Sequence, residues 1–181
     1  MSKANIITLL RILLVPIFIV ILLTKMENKE IIAFAVFLFA SFSDAIDGYI
    51  ARKYDQVTEL GKFLDPIADK LLISAALVAL VALGEIETWA ASLIIIREIF
   101  MTAFRFYFYM HEYSFSASGI AKGKTLFQIV AISIFIIYRK LPNPESIHKI
   151  GTYILYIAVF LTIYSAVEYI IKYSRMVNKS K

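Results

Sequence analysis

The sequence predicts an all-α integral membrane protein, a bundle of six transmembrane helices. Three observations carry that expectation. Of 181 residues, 60% are hydrophobic and only 18% charged, too little polar surface for a soluble domain of this length to show to water. Six apolar segments follow one another, each near the roughly 20 residues a helix needs to cross a bilayer. The connections between them are short and polar, so residues 1–181 read as a single membrane-embedded domain with no room for a second.

The first segment, 6–24, follows a basic start and superficially resembles a signal peptide. It has no small-x-small cleavage site before Lys25, and further apolar segments follow, so it reads as a retained helix. The second, 31–50, and the third, 63–83, flank a charged connection that contains Thr58, a helix N-cap candidate. A tight turn over 84–88 leads into the fourth segment, 89–109. The fifth, 119–138, is separated from the sixth, 150–171, by a stretch with Pro142 and Pro144, which forbid a continuous helix. Tyr107, Tyr109, Tyr113, Tyr138, Tyr169 and Tyr173 cluster near segment ends, as interfacial belts do. No segment by itself declares an oligomer interface. Cysteine is absent, which excludes disulfides and thiolate metal sites. The net charge of +5 has no basic patch on a soluble face behind it and fits loops beside anionic lipid rather than nucleic acid.

The densest polar stretch is SDAIDGYIARKYDQVTELGKFLDPIADK, residues 43–70, which holds six of the fourteen acidic residues. Asp44, Asp47, Asp65 and Asp69 abut or interrupt apolar runs, where a carboxylate is expensive and marks a function. Asp44 and Asp47 are three apart, and Asp65 and Asp69 four apart, so on helices each pair shares a face. Gly48 and Ala51 leave the first face bare, and Gly61 precedes Asp65 by one turn, so a bulky ligand can approach the backbone. Four converging carboxylates repel unless a cation lies between them, and oxygen-only ligands suit Mg²⁺ or Mn²⁺. Such metals usually meet phosphates, and Arg52 and Lys53 stand beside the first pair.

The pattern Asp44-x2-Asp47-Gly48-x2-Ala51-Arg52-x8-Gly61-x3-Asp65-x3-Asp69 resembles, without a departure, the signature of the CDP-alcohol phosphotransferase family. The resemblance implies a membrane-embedded, Mg²⁺- or Mn²⁺-dependent enzyme that displaces CMP from a CDP-linked lipid or alcohol. On this reading Asp44, Asp47, Asp65 and Asp69 hold the metal, and Asp69 is also the general base. Arg52 contacts the pyrophosphate, Gly48 and Gly61 admit the nucleotide, and Thr58 contacts it. Asn5, Thr8 and Arg11 recur every three residues at the start of the first helix. N-cap and snorkelling roles explain them equally well, but the family resemblance implies that Asn5 and Thr8 help hold the cytidine diphosphate. It also implies a homodimer in a bacterial cell membrane.

The remaining polar intruders concern the acceptor. Arg97, Glu98 and Arg105 lie within the fourth segment and should face the interior. Neither Arg97 nor Arg105 is a natural partner of Glu98 on one helix, so a polar cavity is expected. Gly119-x2-Lys122-Gly123-Lys124-Thr125-x2-Gln128 opens the fifth segment, and two lysines at a helix start form an anion site. It is not a Walker A loop, because Ser118 replaces the first glycine and no strand precedes it. Together with the Arg-Glu pair, this stretch resembles the phosphatidylglycerolphosphate synthase branch of the family. That branch implies CDP-diacylglycerol as donor and glycerol 3-phosphate as acceptor, its phosphate held by Arg97, Arg105, Lys122 and Lys124. Glu168 reads equally as a satisfied interior group or a functional one, and His148 as a solvated loop residue.

Orientation follows from Lys and Arg. With the N-terminus in the cytoplasm, inside loops and tails hold ten and outside loops five, while four lie within segments. The bias puts both termini and the Asp-rich stretch on the cytoplasmic side. Serine and inositol phosphate remain alternative acceptors. A divalent-cation or proton transporter is the alternative from another class, although all four Asp lie near one membrane side.

Overall fold

The computed structural model describes the backbone of residues 3–53, 59–109 and 119–179, and the side chains of 9–43, 67–68, 70–104, 106, 108 and 123–171. Those residues form six helices and one short 3₁₀ turn, with no strand among them: α1 Lys3–Leu23, α2 Lys29–Lys53, α3 Glu59–Ala82, α4 Thr88–Tyr109, α5 Gly119–Ile137, the turn Tyr138–Lys140, and α6 Pro144–Lys179. Each coincides with one of the six expected segments. The main difference is at α6, which begins at Pro144 rather than near residue 150. Pro144 occupies the first turn, where its missing N–H costs nothing.

The helix ends are set by a few turn residues. Asn28 and Asn143 are the two non-glycine residues with positive φ, 59° and 54°, a conformation that asparagine tolerates better than most side chains. The Asn28 carbonyl accepts from the amides of Ile31 and Ile32 at 3.1 and 3.2 Å, and the Asn143 carbonyl from those of Ser146 and Ile147 at 3.1 and 3.2 Å. Both α2 and α6 are therefore launched from an asparagine. At the end of α3, Gly84 has φ +72°. The Gly84 amide donates to the Val81 carbonyl at 3.0 Å, and that of Glu85 to Leu80 at 2.9 Å. This pair of bonds is a Schellman cap, which favours glycine at the left-handed position.

α1 packs on α2 and α3, α5 on α2 and α6, and α4 on α3 and α6. Small residues line the crossings: Ala33 and Ala40 of α2, Ala76 of α3, Ala90 of α4, Ala131 of α5 and Ala158 of α6 are all fully buried. Phe18 and Phe37 fill the α1–α2 contact with ring centroids 5.7 Å apart. The distribution of polarity is the reverse of a soluble protein's. Arg11, Arg97, Glu98, Lys124, Gln128 and Thr162 are buried, whereas Leu13, Val20, Phe39, Ile96, Ile99 and Phe160 are each more than 60% exposed. An apolar exterior of this extent needs an apolar surrounding. Among the described residues, one helix, over Pro144–Ile171, is long and apolar enough to cross a membrane; Leu9–Leu23 and Lys70–Ala82 are shorter apolar stretches.

Gly151 lets α6 approach α5 closely. A Cβ there would lie 2.9 Å from Ile134 Cγ2 and 3.4 Å from the Phe135 ring. Gly151→Leu is expected to lower stability by about 1–3 kcal/mol through overpacking, read as the unfolding transition of the purified protein in detergent.

Three connections meet at one end of the bundle. Arg139 donates to the Glu85 carboxylate at 2.6 Å and the Tyr138 hydroxyl to its other oxygen at 2.7 Å. Lys140 donates to the Asn28 side chain at 3.3 Å. His148 Nε2 lies 3.1 Å from the Glu85 carbonyl oxygen, and its ring meets those of Phe135 and Tyr138 edge-on. His148 is therefore a partly buried residue in the first turns of α6, not a solvated loop residue. Nearby, Trp89 stacks on Tyr156 at 5.6 Å, and Glu87 accepts from both. The 24–28, 83–87 and 138–143 connections thus share one end. The start of α1, the end of α2, the start of α3, the end of α4 and the start of α5 lie toward the other.

Candidate active site

Most of the helices that carry the candidate residues present them toward that second end. α2 runs unbroken to Lys53 and carries Asp44, Asp47, Gly48 and Arg52; α3 carries Gly61, Asp65 and Asp69. The third helix continues through Pro66, so the backbone of each acidic pair lies on one continuous helix. α1 brings Asn5 and Thr8, α4 brings Arg105, and α5 brings Lys122 to the same end. The side chains of all of these lie outside the described residues, and Thr58 lies outside them entirely. Among the described residues no three His, Asp or Glu side chains gather to hold a metal. The donor set on α2 and α3 is all carboxylate and suits a hard divalent cation by its chemistry.

Arg97 and Lys124 are described, and they converge with a residue given no role in the sequence reading. The Glu98 carboxylate is buried at the meeting of three helices. Lys70 of α3 lies 3.0 Å from one oxygen, while Arg97 at 3.2 Å and Lys124 of α5 pair with the other. Arg97 also donates to the Ser165 hydroxyl of α6 at 2.7 Å, and Gln128 donates to Thr162 at 3.2 Å. Four helices are joined through this network.

The expected cavity around Arg97 and Glu98 is thus occupied by ion pairs. Single-helix spacing made Glu98 look unpartnered, but Lys70 and Lys124 come from neighbouring helices. The adjacent Arg97 nevertheless reaches it, through one guanidinium nitrogen. Arg11 is 1% exposed and faces the interior rather than snorkelling outward. Glu168 is half-buried on α6 and engaged in an interaction. Lys70, Ser165 and Thr162 were missed by sequence reasoning. The position of Lys70, directly after Asp69, was the one available signal.

A sequence model of the CDP-alcohol phosphatidyltransferases matches residues 1–170. The chain belongs to this family. A CDP-diacylglycerol–glycerol-3-phosphate 3-phosphatidyltransferase of Bacillus subtilis (strain 168) is 39% identical over 180 residues, covering 93% of each chain. A protein of the same name from Rickettsia bellii (strain RML369-C) is 36% identical over 165 residues, 91% of each chain. A probable phosphatidylglycerophosphate synthase of Mycobacterium tuberculosis is 37% identical over 172 residues, 93% of this chain and 80% of its own. Lys70 of the cation cluster directly follows Asp69 in the chain.

Proposed function

We propose that this protein transfers the phosphatidyl group of CDP-diacylglycerol to glycerol 3-phosphate, giving phosphatidylglycerophosphate and CMP. The observation that carries the reading is the complete motif on two continuous helices of one bundle end, in a chain similar along most of its length to relatives named for this reaction. The buried cations next to the motif support a phosphorylated acceptor rather than serine, whose small zwitterion needs no polybasic pocket. Inositol phosphate is the closest rival acceptor.

The donor enters laterally from the inner leaflet and keeps its acyl chains in lipid. Asn5, Thr8 and Thr58 hold the cytidine diphosphate, and Gly48 and Gly61 let it approach the backbone. Arg52 contributes a charge-assisted hydrogen bond to the pyrophosphate. Asp44, Asp47, Asp65 and Asp69 would hold Mg²⁺ or Mn²⁺, which when bound neutralises the phosphates and the leaving CMP. Arg97, Arg105, Lys122 and Lys124 orient the acceptor's phosphate. Asp69 takes the proton from the glycerol hydroxyl as its oxygen attacks the lipid-side phosphorus, and the bond to CMP breaks. We read the whole chain as one six-span domain of the bacterial cell membrane, working as a homodimer. The exposed apolar surface supports the membrane placement, and the Lys/Arg bias supports cytoplasmic termini and site.

A radiolabelled acceptor screen with CDP-diacylglycerol and Mg²⁺ tests the assignment. Glycerol 3-phosphate is expected to be the labelled acceptor that enters lipid; transfer to inositol phosphate or serine instead would reassign it. Chelation with EDTA is expected to stop CMP release, and excess Mg²⁺ or Mn²⁺ to restore it. Release that persists in EDTA would remove the metal from the mechanism. Lys124→Ala is expected to raise KM for glycerol 3-phosphate by about tenfold or more, the scale of one charged hydrogen bond, and KM for CDP-diacylglycerol much less. Divalent-cation flux into liposomes without CMP release would favour the transporter alternative.

A further inference from the structure

We propose that Ser165 of α6 is a positioning residue for the acceptor, holding the Lys124 ammonium in place through Arg97 and Glu98. The chain of contacts is continuous. The Ser165 hydroxyl accepts from Arg97 Nη2 at 2.7 Å. Arg97 Nη1 donates to Glu98 Oε1 at 3.2 Å, and Lys124 Nζ pairs with that same oxygen. No member of the chain is more than 8% exposed.

The direction of the Ser165 contact is fixed by its own helix. Its hydroxyl proton goes to the Thr162 carbonyl at 3.1 Å, so the oxygen offers lone pairs alone to Arg97. A guanidinium is a planar, rigid fork. Contacts on two of its nitrogens, Glu98 on Nη1 and Ser165 on Nη2, set the plane in which it lies. Neighbouring residues on one helix do not face each other, so the hold from α6 is what turns Arg97 toward the Glu98 oxygen. Lys124 shares that oxygen, and the place of the guanidinium decides how the ammonium approaches it.

The same turn of α6 also holds the helix that carries Lys124. Gln128 lies one turn after Lys124 on α5, and its amide donates to the Thr162 hydroxyl at 3.2 Å. Thr162 and Ser165 are three apart on α6 and share a face. Lys124 is thus braced twice from α6, at its backbone through Gln128 and at its ammonium through Arg97 and Glu98. Ser165 does not touch the acceptor in this scheme. It fixes where the charge that receives the acceptor's phosphate stands.

The test is steady-state CMP release by the purified full-length protein in detergent micelles, with CDP-diacylglycerol, Mg²⁺ and glycerol 3-phosphate. Ser165→Ala is expected to raise KM for glycerol 3-phosphate by about threefold to tenfold, the net scale of one hydrogen bond. KM for CDP-diacylglycerol and kcat should stay as in wild type, and Ser165→Thr, which keeps the hydroxyl, should recover most of the loss. In a Lys124→Ala background, the same Ser165→Ala change should move the acceptor KM by less than about twofold, because nothing is left for it to position. A lower Tm with an unchanged acceptor KM would make Ser165 a packing residue and overturn the proposal. So would an equal rise in both KM values, or a Ser165→Ala effect as large without Lys124 as with it. Should Ser165→Ala not accumulate as folded protein, Ser165→Cys decides. Its thiol keeps the shape but accepts weakly, so an acceptor-specific rise in KM supports the proposal and an unchanged KM overturns it. The inference rests on the transferase reading, and the two failures are distinguishable. A wild type that releases no CMP with this acceptor sinks both, whereas an active wild type whose acceptor KM ignores Ser165 sinks this inference alone.

Discussion

Asp69→Asn is expected to lower CMP release by about 10²–10⁴-fold, the range a positioned general base contributes, while CDP-diacylglycerol binding stays near wild type. The substitution keeps the shape of the side chain and removes its basicity. α3 runs unbroken from Glu59 to Ala82, so Asp69 stays one turn after Asp65 on the same face. On the proposed mechanism its loss leaves Asp44, Asp47 and Asp65 to hold the donor's metal. Single-turnover CMP release and equilibrium binding of CDP-diacylglycerol, measured on the same preparation, check this directly. A variant that no longer binds the donor, or no longer folds, would move Asp69 from the base role to a purely structural or metal-holding one.

The largest stability effect is expected at Glu98. Glu98→Ala removes the carboxylate from among Lys70, Arg97 and Lys124. Breaking a buried ion-pair network by deleting one member costs about 3–5 kcal/mol, because the remaining charges stay buried without their partner. The network also joins α3, α4 and α5 to one another and, through Arg97 and Ser165, to α6. The loss is therefore felt by the whole site end of the bundle. The measurement is the unfolding transition in detergent, with Ile99→Ala as control. Ile99 is the next residue on the same helix but 63% exposed. A Glu98→Ala transition no lower than the control's would show that the cluster does not stabilise the fold.

Six helices were legible because each apolar run is near the length of a membrane span and the connections are punctuated by Pro, Gly and charge. The ends were less so. Asn28 and Asn143 in the left-handed conformation decide where α2 and α6 begin, and composition alone does not reveal an asparagine's φ. Pro142 and Pro144 do separate the fifth helix from the sixth, and Pro144 is itself the first residue of α6, a role proline fills readily. His148 was assigned to solvent because it lay in an assumed loop; once α6 starts at Pro144, it faces Phe135, Tyr138 and Glu85.

The acidic motif is legible as a pattern because its spacing is local: the residues of each pair are about one helical turn apart on one helix. The pairing of Glu98 could not be read that way. Its partners Lys70 and Lys124 are 28 and 26 positions away by the numbering, on helices whose relative rotation depends on packing at Ala33, Ala76, Ala90, Ala131 and Gly151. The sequence by itself determined the helical class, the family and the donor-side motif, since these rest on local periodicity and spacing. Only the tertiary structure decided which cations share the Glu98 carboxylate, because that is set by helices meeting side by side.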